Sequence, residues 1–174
     1  SGIIFAFFIS LLSCKKDFLD INPLVGSTEA NFYQNEDDAI AATIACYNNL
    51  QQEVSPLQGL GGLSPHFRWY FGDVVSDDSH KGGSGDGDEP DLLKFESFQG
   101  TSDSKLVLGE WQTAYKGIAY CNIALENIPG IEMDSDTKDM LLGEIRFFRA
   151  YWYFNLTTMF GGVQLIDELL APSE

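Results

Sequence analysis

Residues 76–91, SDDSHKGGSGDGDEPD, hold the densest set of side chains that could do chemistry. Carboxylates spaced among glycines suggest an oxygen cage for a hard cation such as calcium. The regular calcium loop needs oxygen ligands at alternate positions, a central glycine and a closing glutamate. Counted from Asp77, Lys81 falls on a ligand position; counted from Asp86, Pro90 does. The regular loop is therefore excluded, while an irregular calcium site stays open beside the simpler reading of a solvated loop. Other chemistry is poorly provided for. His66 and His80 are the two histidines, and no Ser-His-Asp order or metal motif surrounds them. Glycoside hydrolysis needs two carboxylates at a defined separation. The acids here sit mainly on a glycine-rich loop and at helix starts, which hold no such separation. An enzyme is not expected, nor is a cofactor.

The three cysteines divide by context. Leu11-Leu12-Ser13-Cys14 begins with the last two residues of the ten-residue, nearly all-apolar run IIFAFFISLL. That run is too short to span a bilayer, which takes about 20 residues, but it fits the apolar region of a secretory signal. The apolar, apolar, small, Cys order is that of a bacterial lipobox, so Cys14 is the expected lipidation site. Acyl chains gain about 0.8 kcal/mol per buried methylene, and several of them make the attachment lasting. Cys46 and Cys121 fall inside predicted helices without CxxC spacing, so zinc is unsupported. They read as buried thiols, with a disulfide left open by export.

The elements that must position these groups are helical. NEDDAIAATIACYNNLQ has an Asn35 cap, acids in its first turn, and Ile40, Ile44, Tyr47 and Leu50 at helical spacing. Its alanines leave thin flanks that a neighbour can approach. Ser27 is a cap candidate just upstream, and residues 56–63 read as a glycine-rich turn. Ser64-Pro65 opens a short helix to Val74. Ser102 or Ser104 starts a long helix with Trp111, Tyr115, Ile118, Asn122 and Leu125 on one stripe, ended by Pro129-Gly130. Asp134 or Ser135 caps a longer one, which Gly161-Gly162 stops. The tail VQLIDELL reads as short and extended. The fold class expected is all-α, and the last two helices should be antiparallel neighbours.

The last helix carries seven aromatic rings between Phe147 and Phe160. It is not a membrane span, because Glu144, Arg146 and Arg149 sit within it and central charge is expensive in lipid. Phe148, Trp152, Leu156 and Met159 should form one buried face, and Phe147, Tyr151 and Phe154 a second. Arg146 and Arg149 then need partners, with Glu110, Glu126 and Glu144 as candidates. Net charge of −16 argues against nucleic acid as a partner.

GEIRFFRAYWYFNLTTMFGGVQLI resembles the signature of the SusD/RagB nutrient-uptake lipoproteins of the outer membrane. LLSCKKDFLDINP, NFYQNEDDAIAATIACYNNLQ, GDVVSDDSHKGG and EWQTAYKGIAYCNIALENI are similar to further stretches of that family, in the same order. Gln164 stands where the family often has Pro, and His80 where an aromatic is common. The resemblance implies a tetratricopeptide-like helical scaffold. It implies residues 1–13 as a signal segment cut at its start, 14–26 as a lipidated tether, and 27–174 as a helical domain incomplete at its C-terminal side. It also implies a lipoprotein on the outer membrane, facing outward, that takes up oligosaccharide or another nutrient and serves a SusC-type TonB-dependent transporter. The alternative is a scaffold that binds the transporter and has no glycan site. Sugars need flat apolar faces with fixed hydrogen-bonding groups. Arg68, Trp69, Tyr70, Asp73, Asp77, Asp78, His80 and Lys81 are the candidate ligand-binding set. Asp73, Asp77 and Asp78 also suit a second role as turn caps.

Overall fold

The computed structural model describes residues 32–51, 68–76 and 78–168, and all regular structure among them is helical. Cys14, the signal and tether segments, the Ser27 cap and the glycine-rich turn lie outside the described residues.

Helix α1 spans Glu36–Asn48 and passes into a tight turn at Asn49–Gln51. Asn35 Oδ1 accepts from the Asp38 amide at 3.1 Å, and Asp38 Oδ2 accepts from the Gln34 amide at 2.8 Å. This reciprocal cap satisfies donors that the first turn leaves free. The face α1 buries is Ala39, Ala42, Thr43 and Cys46. Ile44 and Tyr47, expected to face inward, are 51% and 41% exposed. The thin alanine flank is the docking face, because small side chains let the backbones come close.

Residues Arg68–Val74 form a wide π-type turn within the helix expected over 65–74. Helix α2, Pro90–Glu96, falls where no helix is expected. Its signal is Pro90 at the first helical position, where the missing N–H costs nothing. The π turn, α2 and the start of the next helix share a small core of Val74, Leu92 and Leu106, with Phe71 and Phe95 packed against it. The Phe71 and Phe95 rings meet edge to face at 5.1 Å. Gly100 lies so close to the Phe95 ring that a Cβ there would overlap it. Asp91 accepts from Ser104 Oγ at 3.2 Å and pairs with Lys94 at 3.0 Å, which ties α2 to the cap of the following helix.

Helix α3, Lys105–Asn127, is capped by Ser104, and helix α4, Ser135–Phe160, by Asp134. A tight turn, Ile128–Gly130, joins them, and Gly161 at φ 76° stops α4. They form an antiparallel hairpin. Trp111 meets Phe160 near one end, Trp152 packs on Gly117, and Arg149 reaches Asn122. A Cβ at Gly117 would collide with Trp152 Nε1 and Asn49 Nδ2, so this glycine sets where α3, α4 and the end of α1 converge. The buried face of α3 is correspondingly small, with Gly109, Thr113, Ala114, Gly117, Cys121 and Ala124 beside Ile118. Trp111, expected within the buried stripe, is 38% exposed.

On α4, Phe148, Trp152 and Leu156 are buried as expected. Phe147 and Phe154 are not; they stand 66% and 60% exposed. The helix is covered on one broad face rather than all round. No described helix is long and apolar enough to cross a membrane. The architecture is all-α and tetratricopeptide-like, built from paired helices.

Candidate ligand-binding loop and strapped groove

The loop between the π turn and α2 is held from within. Lys81 sits near its centre. The Lys81 ammonium donates to the carbonyls of Gly82 at 3.1 Å, Gly85 at 3.0 Å and Asp88 at 2.5 Å. Three carbonyls around one ammonium fix the loop's curvature, and Gly82, Gly83 and Gly85 supply the positive φ that it demands. The Asp88 carboxylate accepts from the Ser84 amide at 3.0 Å and lies so close to Gly83 that a side chain there would overlap it.

Glu96, at the end of α2, closes the loop's other side. Its Oε1 lies 2.6 Å from His80 Nδ1, and its Oε2 accepts from the Lys81 amide at 3.3 Å. The His80 contact, then the Lys81 amide, hold the Glu96 carboxyl below the usual carboxylate range. The His80 side chain is otherwise open, 92% exposed.

The candidate residues thus fall into groups. Arg68, Trp69 and Tyr70 lie on the π turn, and Asp77 lies outside the described residues. Asp73 and Asp78 are exposed, and both take part in turns. Asp73 O accepts from Ser76 Oγ at 2.9 Å and from the Ser79 amide at 3.2 Å; the Asp78 amide donates to Ser76 Oγ at 3.2 Å. His80 and Lys81 are brought together by Glu96. Among the described residues, no three His, Cys, Asp or Glu side chains converge as a metal cluster. Glu96 carries no signal of its own in the sequence, because it sits on α2, which follows an acidic, glycine-rich stretch that reads as loop.

A second feature lies on the hairpin. Beyond Gly162 the chain turns back along α3 and α4 as an irregular strap instead of the extended element expected. Side chains of both helices hold its backbone. Tyr115 donates to Gln164 O at 2.9 Å, Asn122 Nδ2 to Ile166 O at 2.9 Å, and Tyr153 to Ile166 O at 2.8 Å. Tyr153 Oη also accepts from the Ile166 amide at 2.6 Å. Arg149 donates to Asn122 Oδ1 at 3.0 Å and to Asp167 O at 3.3 Å. The expected Arg–Glu pairs are absent among the described residues. Arg149 is half-buried, so neutral oxygens suffice for it; Arg146 is exposed, and Glu144 instead accepts from Tyr47 at 3.1 Å. Beside the strap lies an open, mainly apolar cavity of about 340 Å³, lined by Ile118, Ile123 and Ile166 among others. The polar atoms of Tyr115 and Asn122 on its wall are occupied by the strap, so the cavity offers shape rather than fixed donors.

Glu110 is a third outlier. It is 7% exposed, its Oε1 has no hydrogen-bond partner, and it faces Trp152 and Asn155. Burial raises its carboxyl to about 7.

A family profile described as SusD-like_3, "Starch-binding associating with outer membrane", matches residues 91–171, which take in α2, the hairpin and the strap. SusD-like protein P25 of Formosa agariphila is 27% identical over 99% of this chain and 32% of its own length. SusD-like protein P38 of the same organism is 28% identical over 96% of this chain and 30% of its own length. A solved structure described as a laminarin binding SusD-like protein superposes with a TM-score of 0.65 at 29% identity, covering 80% of this chain and 28% of that one. The chain spans about a third of the length of the curated relatives it matches.

Proposed function

We propose, on the strength of its likeness to the SusD-like family, that this chain captures neutral oligosaccharides at the outer surface of the cell and passes them to a SusC-type TonB-dependent transporter. The observation that carries this reading is the likeness, over 80% of the chain, to a laminarin-binding relative. Charge narrows the ligand class. A surface at −16 repels acidic polysaccharides, so neutral glycans are the better match. Contact falls to the π turn and the acidic loop: Trp69 and Tyr70 supply stacking faces, while Arg68, Asp73, Asp77, Asp78 and the exposed edge of His80 supply hydrogen bonds. Lys81 acts by shaping the loop. No bond is made or broken in the glycan, so binding releases no reducing ends.

Cys14 carries the lipid anchor that keeps the protein at the outer membrane. Replacing Cys14 by Ser moves the protein to the soluble fraction; continued sedimentation with membranes contradicts the anchor. Glycan capture is tested by electrophoresis through gels containing laminarin, starch or an acidic polysaccharide. Retardation by a neutral glucan, weakened in Trp69→Ala, is the expected result. Equal mobility in every gel leaves the scaffold reading in its place.

A further inference from the structure

Cys46 lies in the last turns of α1 and Cys121 in the second half of α3, and both are completely buried free thiols. The helix register brings them to one level. Asn49, about one turn beyond Cys46, donates from its side-chain amide to Thr113 O at 3.0 Å and packs on Gly117. Cys121 is the next turn of α3 beyond Gly117. Stepping back one turn on α1 and forward one turn on α3 therefore sets the two sulfurs face to face. The faces around them are small (Ala39, Ala42 and Thr43 on α1; Gly117 and Ala124 on α3), so nothing large separates the backbones.

We propose that Cys46 and Cys121 are the two halves of a disulfide that locks α1 onto α3. The oxidant is a disulfide, whether of a small thiol or of a thiol–disulfide oxidoreductase. The Cys46 thiolate attacks one sulfur of that disulfide and expels the first thiolate. The Cys121 thiolate then attacks Cys46 Sγ and expels the second. Two electrons and two protons leave the cysteine pair, and the oxidant departs as two thiols. The order of attack follows from their contact. Each sulfur is the main influence on the other, lowering Cys46 and raising Cys121. With both sulfurs out of reach of solvent, exchange takes place before α1 docks or when it lifts away.

The bond would span a long stretch of chain, from α1 past the acidic loop to mid-α3. Loop-closure entropy makes such a link strongly stabilising when its geometry is unstrained. The test uses the whole chain. It is incubated with oxidised glutathione in mild urea, refolded, then unfolded and alkylated. Expected, for the chain produced without its lipid, is a product lighter than the reduced chain by two hydrogens before alkylation, with only Cys14 alkylated and a Cys46–Cys121 peptide in the digest. The melting temperature should exceed that of the reduced chain by about 10 °C. In Cys46→Ala, glutathione stays on Cys121 and no melting gain appears. Alkylation or stable glutathionylation of both buried cysteines overturns the proposal. So does a link from Cys14 to either one, or an oxidised chain that melts no higher than the reduced one.

Discussion

The α3–α4 hairpin and the acidic loop are both rich in polar contacts, but the contacts differ in reach. In the hairpin, Asn49, Asn122, Arg149 and Tyr153 join groups from 13 to 64 positions apart in the chain. In the loop, Lys81 and Asp88 bond to groups one to seven positions away, and Glu96 provides the longest span at 16. Those four hairpin contacts are also buried or half-buried, whereas most of the loop's are exposed. Long-range buried contacts are lost together when the fold opens, while short exposed ones open locally at low cost. The hairpin is therefore the scaffold, and the loop is a preshaped surface that can change its side chains without unfolding the scaffold. That is the division the proposed glycan capture needs.

The sharpest way to break the scaffold is Gly117→Val. The added side chain overlaps Trp152 Nε1 and Asn49 Nδ2 where three segments converge, and neither neighbour is the free end of a flexible chain. Overpacking at a fully buried crossing costs about 3 kcal/mol, which should exceed any gain in helix propensity over glycine. Urea denaturation should show a lower midpoint with an unchanged slope. Gly87→Val, in the open part of the loop, provides the contrast: a Cβ there meets nothing within 4 Å, and the midpoint should barely move.

Glu110 sharpens the comparison by pH. Its carboxyl is raised from 4.5 to about 7 by burial alone. Between those values the folded chain keeps a proton that the unfolded chain gives up. Stability therefore falls as pH rises from about 4.5 to about 7 and is level above that. The charged form costs about 3 kcal/mol by linkage. Glu110→Gln removes the charge but leaves a desolvated amide, so the net gain at pH 8 should be about 2 kcal/mol. At pH 4 the variant and parent should unfold together. Equal gains at both pH values would place the effect in packing instead of ionisation.

Much of this scaffold can be read directly from the residues, and the exceptions share one cause. The Asn35, Ser104 and Asp134 caps, the Pro129-Gly130 turn and the Gly161 stop follow from local chemistry, and each stands where local chemistry puts it. The buried faces of α1 and α3 do not follow from apolar periodicity. Periodicity weights large residues such as Ile44, Tyr47 and Trp111, but close helix contact selects small ones such as Ala42, Gly109 and Gly117. Phe147 and Phe154 mislead for the same reason: an aromatic at helical spacing marks a face without saying what lies against it. The polar partners were harder still. Arg149 bonds to a backbone carbonyl of a strap 18 positions on, which residue types cannot indicate. In the candidate loop, the acids and glycines were visible. That Lys81 would turn inward onto carbonyls was not, because carbonyls carry no residue identity.

The strap tests the scaffold at intermediate strength. Tyr153→Phe removes one hydroxyl that both donates to Ile166 O and accepts from the Ile166 amide. Asn122 still donates to the same carbonyl, so that oxygen keeps a partner. The expected loss is about 1 kcal/mol. Hydrogen exchange should quicken at Ile166 and its neighbours before it quickens anywhere in α4. Uniform quickening along the hairpin would show that the strap is integral to the scaffold and not laid upon it.

The smallest effect on stability, and the most informative about the loop, belongs to Glu96→Gln. The carboxylate is held low by His80 first and by the Lys81 amide second, so its contribution is present above the ordinary carboxylate range and fades as pH falls through the lowered value. The group is half-buried at the loop surface beside a fully open His80, so salt and water still screen the pair and the global midpoint should not change. The local readouts should. In the parent, protection of the Lys81 amide relative to its intrinsic exchange rate should fall in acid; in Glu96→Gln protection should already be low at neutral pH and should lose that pH dependence. If the loop presents the glycan contacts, retardation by a neutral glucan should weaken in the same variant while urea stability holds. Weakened binding together with lowered stability would mean that loop and hairpin form one cooperative unit, and the division between scaffold and surface would fail.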